Sequence, residues 1–260
     1  MKKLLSLALA AAAALTLTAC SSKPKEVELH IFAAASMTET MDQIIENYKS
    51  EVPNVTIIPT YDSSGTLLTQ IQEGADCDLF ISAAQTQMNT LYEEGGLLAD
   101  TRLDLLENKV ALSVPDGNPK GIESFDQLAK LLKSGDVMLA MGNSDVPVGQ
   151  YTQKIFAFYG LDENAMATAG VLTYGSNVKE VTTQVSEATV DCGIIYGTDA
   201  ASAGLTVADT ATAEMCGQVI YPAAVLGNSQ HPDEAKAFLA YLQTDACAQI
   251  FEGVGFSPIQ

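Results

Sequence analysis

Segments in which apolar and polar residues alternate one by one are followed along this chain by segments in which apolar residues recur every three or four positions. Residues 27–32 (VELHIF) alternate between apolar and polar side chains, which is typical of a β-strand. Between residues 37 and 50 the apolar positions lie mostly three or four apart, which predicts a helix. The same patterns predict further strands at 55–59, 78–82, 110–114, 137–141, 193–196 and 221–226. They predict helices at 67–73, 85–94, 125–133, 149–159 and 177–188, and one or two closing helices within 232–251.

Strands that alternate with helices are typical of βαβ units, so we expect an α/β fold. Because parallel strands are joined by crossover helices that cover the sheet, the sheets should be mostly parallel and flanked by helices. The strands are more than one small sheet would hold, which predicts two lobes rather than one.

The composition is that of a globular chain with a strong negative charge. Of the 260 residues, 32 are acidic and 13 are basic, a formal net charge of −19, and 47% are apolar. The charge argues against nucleic acid as a partner, because phosphate backbones are held by clustered lysine and arginine. Only two histidines occur, His30 and His231, which argues against a histidine-rich metal centre.

The N-terminal residues have the organisation of a secretory signal peptide. Lys2 and Lys3 precede a run over 4–15 that is apolar except for Ser6 and is shorter than a membrane span. The following Leu-Thr-Ala-Cys resembles the bacterial lipobox, whose cysteine is acylated and becomes the new N-terminus. We therefore predict a signal peptide at 1–19, lipidation of Cys20 and a polar tether at 20–26, which anchor the protein extracytoplasmically on the bacterial cell membrane. An ordinary signal peptide with an incidental cysteine is the alternative.

Four further cysteines leave two interpretations open: Cys77, Cys192, Cys216 and Cys247. An exported protein meets an oxidising compartment, which would allow two disulfides in any of three pairings. Buried free thiols fit the sequence equally well. No CxxC spacing or nearby histidine favours a metal or nucleophile role.

Five strand-to-helix junctions carry small or hydroxyl residues, at 32–36, 61–66, 146–149, 174–178 and 196–199. Ligands of open α/β sheets bind at such carboxyl ends of strands. Helix N-termini there present unpaired N–H groups and a partial positive charge, and hydroxyls add neutral donors. The junctions together predict an anion site without lysine or arginine. The alternative is simple helix capping, because Ser36 with Glu39 and Asn177 with Glu180 have capping-box spacing.

Segments at these junctions resemble the molybdate-binding proteins of ABC importers. The matching stretches are FAAASMTETMDQI, SSGTLLTQIQEGADCDLFISAA, VPVGQYTQKIF and GIIYGTDA, with YPAAV and GFSPI near the end. The resemblance extends over residues 27–260 and implies a type II periplasmic-binding-protein fold, in which two lobes joined by a two-strand hinge enclose a tetrahedral oxyanion. Lobe 1 would be 27–109 plus 221–260 and lobe 2 would be 110–220, with 110–114 and 221–226 as hinge strands.

The resemblance also implies a ligand set and a role. Hydroxyls of Ser36, Ser64 and Tyr196 and backbone N–H groups of Val148 and Val178 would bind the oxyanion. The ligand would be molybdate or tungstate, with molybdenum held only as the oxyanion, and no cofactor is expected. The protein would be a monomeric binding component rather than an enzyme, and would pass its ligand to the permease of an ABC importer.

Some positions depart from the family's pattern. Val148 stands where alanine is frequent, and Gly65 where serine is frequent. Asp62 and Asp145 lie beside the binding turns, where neutral residues or histidine are common. Because a carboxylate in the cleft would oppose a dianion, we expect both acids to point outward.

Two other functions compete with this interpretation. A sulfate-type oxyanion-binding protein would use the same kinds of hydrogen-bond donor. An exported serine hydrolase would need a histidine base beside Ser36 or Ser64, and only His30 and His231 are available.

Overall fold

The computed structural model describes residues 25–259, so the predicted signal peptide at 1–19 and Cys20 lie outside the described residues. The strands are β1 (Val27–Ala34), β2 (Val55–Asp62), β3 (Leu79–Ile81), β4 (Leu103–Asn108), β5 (Val110–Val114), β6 (Leu139–Gly142), β7 (Leu172–Gly175), β8 (Cys192–Tyr196), β9 (Thr206–Thr210), β10 (Val219–Val225) and β11 (Ser257–Pro258). The helices are α1 (Thr38–Glu51), α2 (Ser64–Gln72), α3 (Gln85–Glu93), α4 (Phe125–Ser134), α5 (Pro147–Phe158), α6 (Glu163–Thr168), α7 (Val178–Ser186), α8 (Gly197–Ser202), α9 (Ala213–Cys216), α10 (Pro232–Tyr241) and α11 (Asp245–Val254). A short 3-10 helix, Ala35–Met37, links β1 to α1.

The strands form two sheets, which confirms the predicted two-lobed α/β class. The six-stranded sheet has the order β11-β4-β10-β3-β1-β2, and the five-stranded sheet has the order β7-β6-β8-β5-β9. The six-stranded sheet and the helices around it form lobe 1 of the structure, and the five-stranded sheet and its helices form lobe 2.

The direction of the strands corrects one prediction, because the sheets are mixed rather than mostly parallel. β1 runs parallel to β2 and β3, and β6 runs parallel to β7 and β8. In contrast, β10 is antiparallel to β3 and β4, and β5 is antiparallel to β8 and β9. The antiparallel strands β5 and β10 are the ones with which the chain enters a sheet from the other lobe. Such a strand is not joined to its sheet neighbours by the crossover helix that connects a parallel pair.

The chain passes between the lobes twice. It leaves the six-stranded sheet after Asn108, the end of β4, and enters the five-stranded sheet at Val110. It returns along residues 211–218, which include α9. The segments predicted as hinge strands lie largely within β5 and β10, each of which pairs within a single sheet, so the connections themselves are Lys109 and residues 211–218.

Local sequence signals explain where the helices begin and which face they bury, as α4 illustrates. The Ser124 side chain accepts a hydrogen bond from the N–H of Gln127 and so caps the helix, which ends at Gly135 with φ of 79°. Positions three and four apart, Phe125, Leu128 and Leu132, are buried. β8 is buried at every position, as expected of a strand covered on both faces.

The four cysteines of the described chain are free thiols, and all are buried: Cys77, Cys192, Cys216 and Cys247. Burial raises the pKa of each thiol, so the reactive thiolate is disfavoured. The structure therefore favours the buried-thiol interpretation over disulfides. Within residues 25–259, no helix combines the length and apolar character that crossing a membrane requires.

Candidate functional site

The structure brings the five predicted ligand residues together around one cavity between the lobes. Ser36 and Ser64 line it from lobe 1, and Val148, Val178 and Tyr196 line it from lobe 2. The cavity volume is about 10 Å³, close to the space that a single ordered water requires. The two lobes are therefore closely apposed at this point.

Ser64 is not the cap of its helix, because the preceding serine has that role. The Ser63 hydroxyl accepts a hydrogen bond from the N–H of Thr66 at 3.1 Å. The Ser64 hydroxyl oxygen instead accepts the N–H of Ala83 at 2.9 Å, and the side chain is fully buried. Because its oxygen is the acceptor in that bond, the Ser64 proton is free to be donated to a ligand.

Ser36 does not form the capping box that its spacing with Glu39 predicts, and that prediction is wrong. The 3-10 turn shifts the start of α1 to Thr38, and its N-cap, Met37, makes no side-chain hydrogen bond. The Ser36 oxygen lies 2.9 Å from the hydroxyl oxygen of Tyr221, a fully buried residue of β10. The Ser36 hydroxyl is therefore hydrogen-bonded to a residue of β10 and does not cap its own helix.

Lobe 2 supplies the N-termini of two helices. Val148 follows Pro147 at the start of α5, and Val178 is the first residue of α7. The N–H groups of a first helical turn have no partner within the helix and carry a partial positive charge. The Asn177 side chain caps α7 by accepting the N–H of Glu180 at 3.1 Å, as the sequence spacing predicts. Both valines can therefore offer backbone N–H groups to an anion while their side chains shape the wall.

Tyr196 contributes a buried hydroxyl at the end of β8. The residue is 1% exposed, and within residues 25–259 its hydroxyl oxygen has no hydrogen-bond partner. Burial raises the pKa of Tyr196 well above its usual value, so the hydroxyl keeps its proton and remains a donor. A buried, unpaired hydroxyl costs about 1–3 kcal/mol, a cost that an acceptor in the cavity would remove.

Asp62 corrects a prediction, because it lines the cavity instead of pointing outward. It is the last residue of β2, and the carboxyl ends of strands face the space between the lobes. One carboxylate oxygen accepts the N–H of Ser63 at 2.7 Å and the side-chain amide of Asn177, in lobe 2, at 3.3 Å. These donors engage the carboxylate, and the second of them ties the two lobes together.

The backbone at Asp145 contacts lobe 1 at Gly65. The Asp145 side chain is exposed, as expected. Its carbonyl oxygen, however, would lie 2.2 Å from a Cβ atom placed on Gly65. The glycine in α2 therefore permits an approach of the lobes that any larger residue would prevent.

A charged cluster that the sequence analysis missed crosses between the lobes beside the cavity. Lys179, next to Val178, lies 2.8 Å from each carboxylate oxygen of Glu39 in lobe 1 and 3.2 Å from Asp199 in lobe 2. Burial raises the pKa of Asp199 to about 6, although the neighbouring ammonium acts in the opposite direction. Within the described chain, no lysine or arginine lines the cavity itself.

The serine-hydrolase alternative lacks its base in the part of the chain that the structure covers. His30 lies in β1 with its imidazole 3.8 Å from Asp76, and His231 precedes α10. Neither histidine lines the cavity. Over residues 25–259 there is also no group of three or more His, Cys, Asp or Glu side chains that could hold a metal ion.

Two α/β lobes that are joined by two passages of the chain and meet with helix N-termini around a cavity define a periplasmic-type binding protein. Residues 29–257 match the model of the bacterial extracellular solute-binding proteins, and the chain belongs to that family.

Individual relatives agree with the family assignment. The chain is 34% identical over 233 residues to YvgL of Bacillus subtilis, described as an ABC transporter substrate-binding lipoprotein, covering 89% of this chain and 86% of that protein. It is 32% identical over 235 residues to the molybdate-binding protein ModA of Escherichia coli, covering 88% of this chain and 89% of that protein. A solved structure, described as the substrate-binding domain of a molybdenum ABC transporter from Clostridium difficile, is similar with a TM-score of 0.67 and 33% identity, covering 90% of this chain and 100% of that one.

Proposed function

We propose that this protein captures molybdate or tungstate between its lobes and delivers it to the permease of an ABC importer. The observation that carries the proposal is the unpaired hydroxyl of Tyr196, buried against a cavity that Ser36 and Ser64 also line. Relatives described as molybdate-binding proteins, which align over most of the chain, support the choice of ligand.

The donors are neutral, which suits a dianion inside a strongly acidic protein. Hydroxyls of Ser36, Ser64 and Tyr196 and N–H groups of Val148 and Val178 approach from both lobes. Such dipoles are fixed by the fold, so they bind an anion with little reorganisation. The anion favours closure because only the closed form lets it satisfy donors of both lobes at once.

Selectivity over sulfate follows from size rather than from hydrogen-bond type. All three anions are tetrahedral and offer only acceptors, but molybdate and tungstate have longer bonds to oxygen than sulfate has. A pocket set for the larger anion leaves sulfate out of reach of some donors. Each missing bond to a charged ligand costs about 1.5–3 kcal/mol.

The placement of the protein forms part of the proposal. Lipidation of Cys20 would hold the body on the outer face of a membrane, close to a permease, while the short tether allows it to move. The lipoprotein description of the Bacillus subtilis relative supports this arrangement. The binding protein would act as a monomer without a cofactor.

Titration calorimetry of the mature protein with molybdate, tungstate, sulfate and phosphate tests the proposal. We expect binding of the first two, and Ser64→Ala and Tyr196→Phe should each weaken it at least about tenfold. Ser50→Ala and Tyr92→Phe, at exposed positions away from the cavity, are matched controls that should bind like the unmodified protein. Binding of sulfate alone would establish the competing ligand, and full affinity in both site variants would refute the site.

A further inference from the structure

A series of hydrogen-bonded, buried polar groups connects Asn108, beside one passage between the lobes, to Ser36, which lines the cavity. The amide nitrogen of Asn108, at the end of β4, lies 2.9 Å from the Thr198 hydroxyl oxygen and 3.1 Å from the Tyr221 hydroxyl oxygen. Tyr221 in turn lies 2.9 Å from the Ser36 hydroxyl oxygen. All four residues are at most 5% exposed, so water does not compete for these bonds.

The orientation of the Asn108 side-chain amide follows from a single backbone group. The side-chain oxygen of Asn108 accepts the N–H of Lys109 at 2.8 Å, and a backbone N–H can only donate. The other terminal atom of Asn108 is therefore its amino group, whose two hydrogens point to Thr198 and Tyr221. The amide orientation is thus determined by the hydrogen-bond pattern itself.

The next hydrogen bond in the series joins Tyr221 to Ser36. The Tyr221 oxygen accepts from Asn108, and its own proton can be donated to the Ser36 oxygen, which lies 2.9 Å away. Burial raises the pKa of Tyr221 well above its usual value, so that proton is retained. When Tyr221 donates in this bond, the Ser36 oxygen is the acceptor, and the single Ser36 proton is left for another partner. Ser36 also lines the cavity, where a bound oxyanion would be that partner.

We propose that Tyr221 and Asn108 are positioning residues that hold the Ser36 hydroxyl as a hydrogen-bond donor toward the bound oxyanion. This inference rests on the proposed function. An isolated serine hydroxyl rotates among several partners, and a dianion benefits only when the proton faces it. A relay whose polarity is set in advance removes that reorientation from the binding step.

A double-mutant cycle on oxyanion affinity tests the inference, with molybdate and tungstate as probes. Tyr221→Phe should weaken binding about tenfold in the unmodified protein. In a Ser36→Ala background, where no hydroxyl remains to be oriented, the same substitution should change the affinity less than about twofold. Tyr48→Phe, a buried tyrosine of lobe 1 that does not line the cavity, is the matched control and should leave the affinity unchanged.

The outcomes separate this inference from the proposed function. Equal affinity of Tyr221→Phe and the unmodified protein would overturn the inference alone, as would a loss that persists undiminished in the Ser36→Ala background. If the unmodified protein binds neither probe, the proposed function fails and the inference falls with it. Circular dichroism establishes that each variant is folded, and Asn108→Leu takes the place of Tyr221→Phe in the cycle if that variant does not fold.

Discussion

Replacing Gly65 by alanine should weaken oxyanion binding and leave the protein folded. In the structure, a Cβ atom at this position would lie 2.2 Å from the carbonyl oxygen of Asp145, which belongs to the opposite lobe. Real Cβ atoms essentially never come closer than 3.0 Å to such a group, so the backbones at Gly65 and Asp145, in opposite lobes, must move apart by the difference or more. The obstruction is backbone, which cannot rotate out of the way as a side chain can.

The size of the effect follows from hydrogen-bond geometry. Donors in both lobes have to reach the same anion, and hydrogen bonds near 2.9 Å that lengthen by close to an ångström are effectively broken. Losing one bond to a charged ligand costs about 1.5–3 kcal/mol, so we expect affinity to fall at least about tenfold. Stability should move the other way, because alanine in a helix is favoured over glycine by about 0.5–1 kcal/mol.

Calorimetry for affinity and thermal unfolding without ligand for stability measure the two effects separately. Gly253→Ala is the matched control, because Gly253 lies in α11 and a Cβ atom there has no neighbour within 4 Å. The control should gain stability and keep its affinity. Unchanged affinity in Gly65→Ala would refute the reasoning that the lobes close on the ligand in the arrangement described.

Two further predictions concern the charged cluster beside the cavity. Replacing Lys179 by Gln removes a cation beside the cavity and a link between the lobes, and Asp199→Asn in the same variant avoids an unpaired buried carboxylate. The double variant should bind the oxyanion roughly two- to fivefold more weakly, with a larger difference at low salt. Lys236→Gln, which breaks an exposed pair within one helix, is the control, and equal affinities of the two variants at low salt would contradict the prediction. Asp199→Asn alone should gain stability relative to the unmodified protein as the pH rises from about 4 to 6, by up to about 3 kcal/mol, because the folded carboxyl titrates near 6 and the unfolded one near 3.8. Between about pH 4 and 6 the Asp199 carboxyl is protonated in the folded protein but ionised in the unfolded one, so the unmodified protein loses stability as the pH rises. Asparagine does not titrate, so the variant avoids this loss. Urea unfolding of both proteins across this range measures the difference, and parallel curves would contradict it.

Periodicity predicted the elements whose burial is regular and missed those whose burial is not. β8 is a continuous apolar strand and α4 has a single apolar face, so both are evident in the sequence. β9, which is exposed or half-buried along its length, and the two-residue β11 lack such a pattern. Strand direction was also misjudged, because it depends on where the chain passes between lobes rather than on any local period.

What the sequence by itself determined is the set of groups that can bind an anion and the turns on which they lie. Ser36, Ser64 and Tyr196 stand at strand-to-helix junctions, and such junctions of parallel strands lie at the carboxyl edge of their own sheet. Their position at a sheet edge follows from the repeated strand-helix order, so it can be inferred without coordinates.

Only the tertiary structure decided how those groups are oriented and how closely the lobes meet. The Tyr221–Ser36 bond joins residues 185 positions apart, and the Lys179–Glu39 pair joins residues 140 positions apart. The fit of Gly65 against Asp145 likewise depends on two lobes facing each other. Contacts across such separations arise from packing and lobe closure, and no periodicity or local motif encodes them.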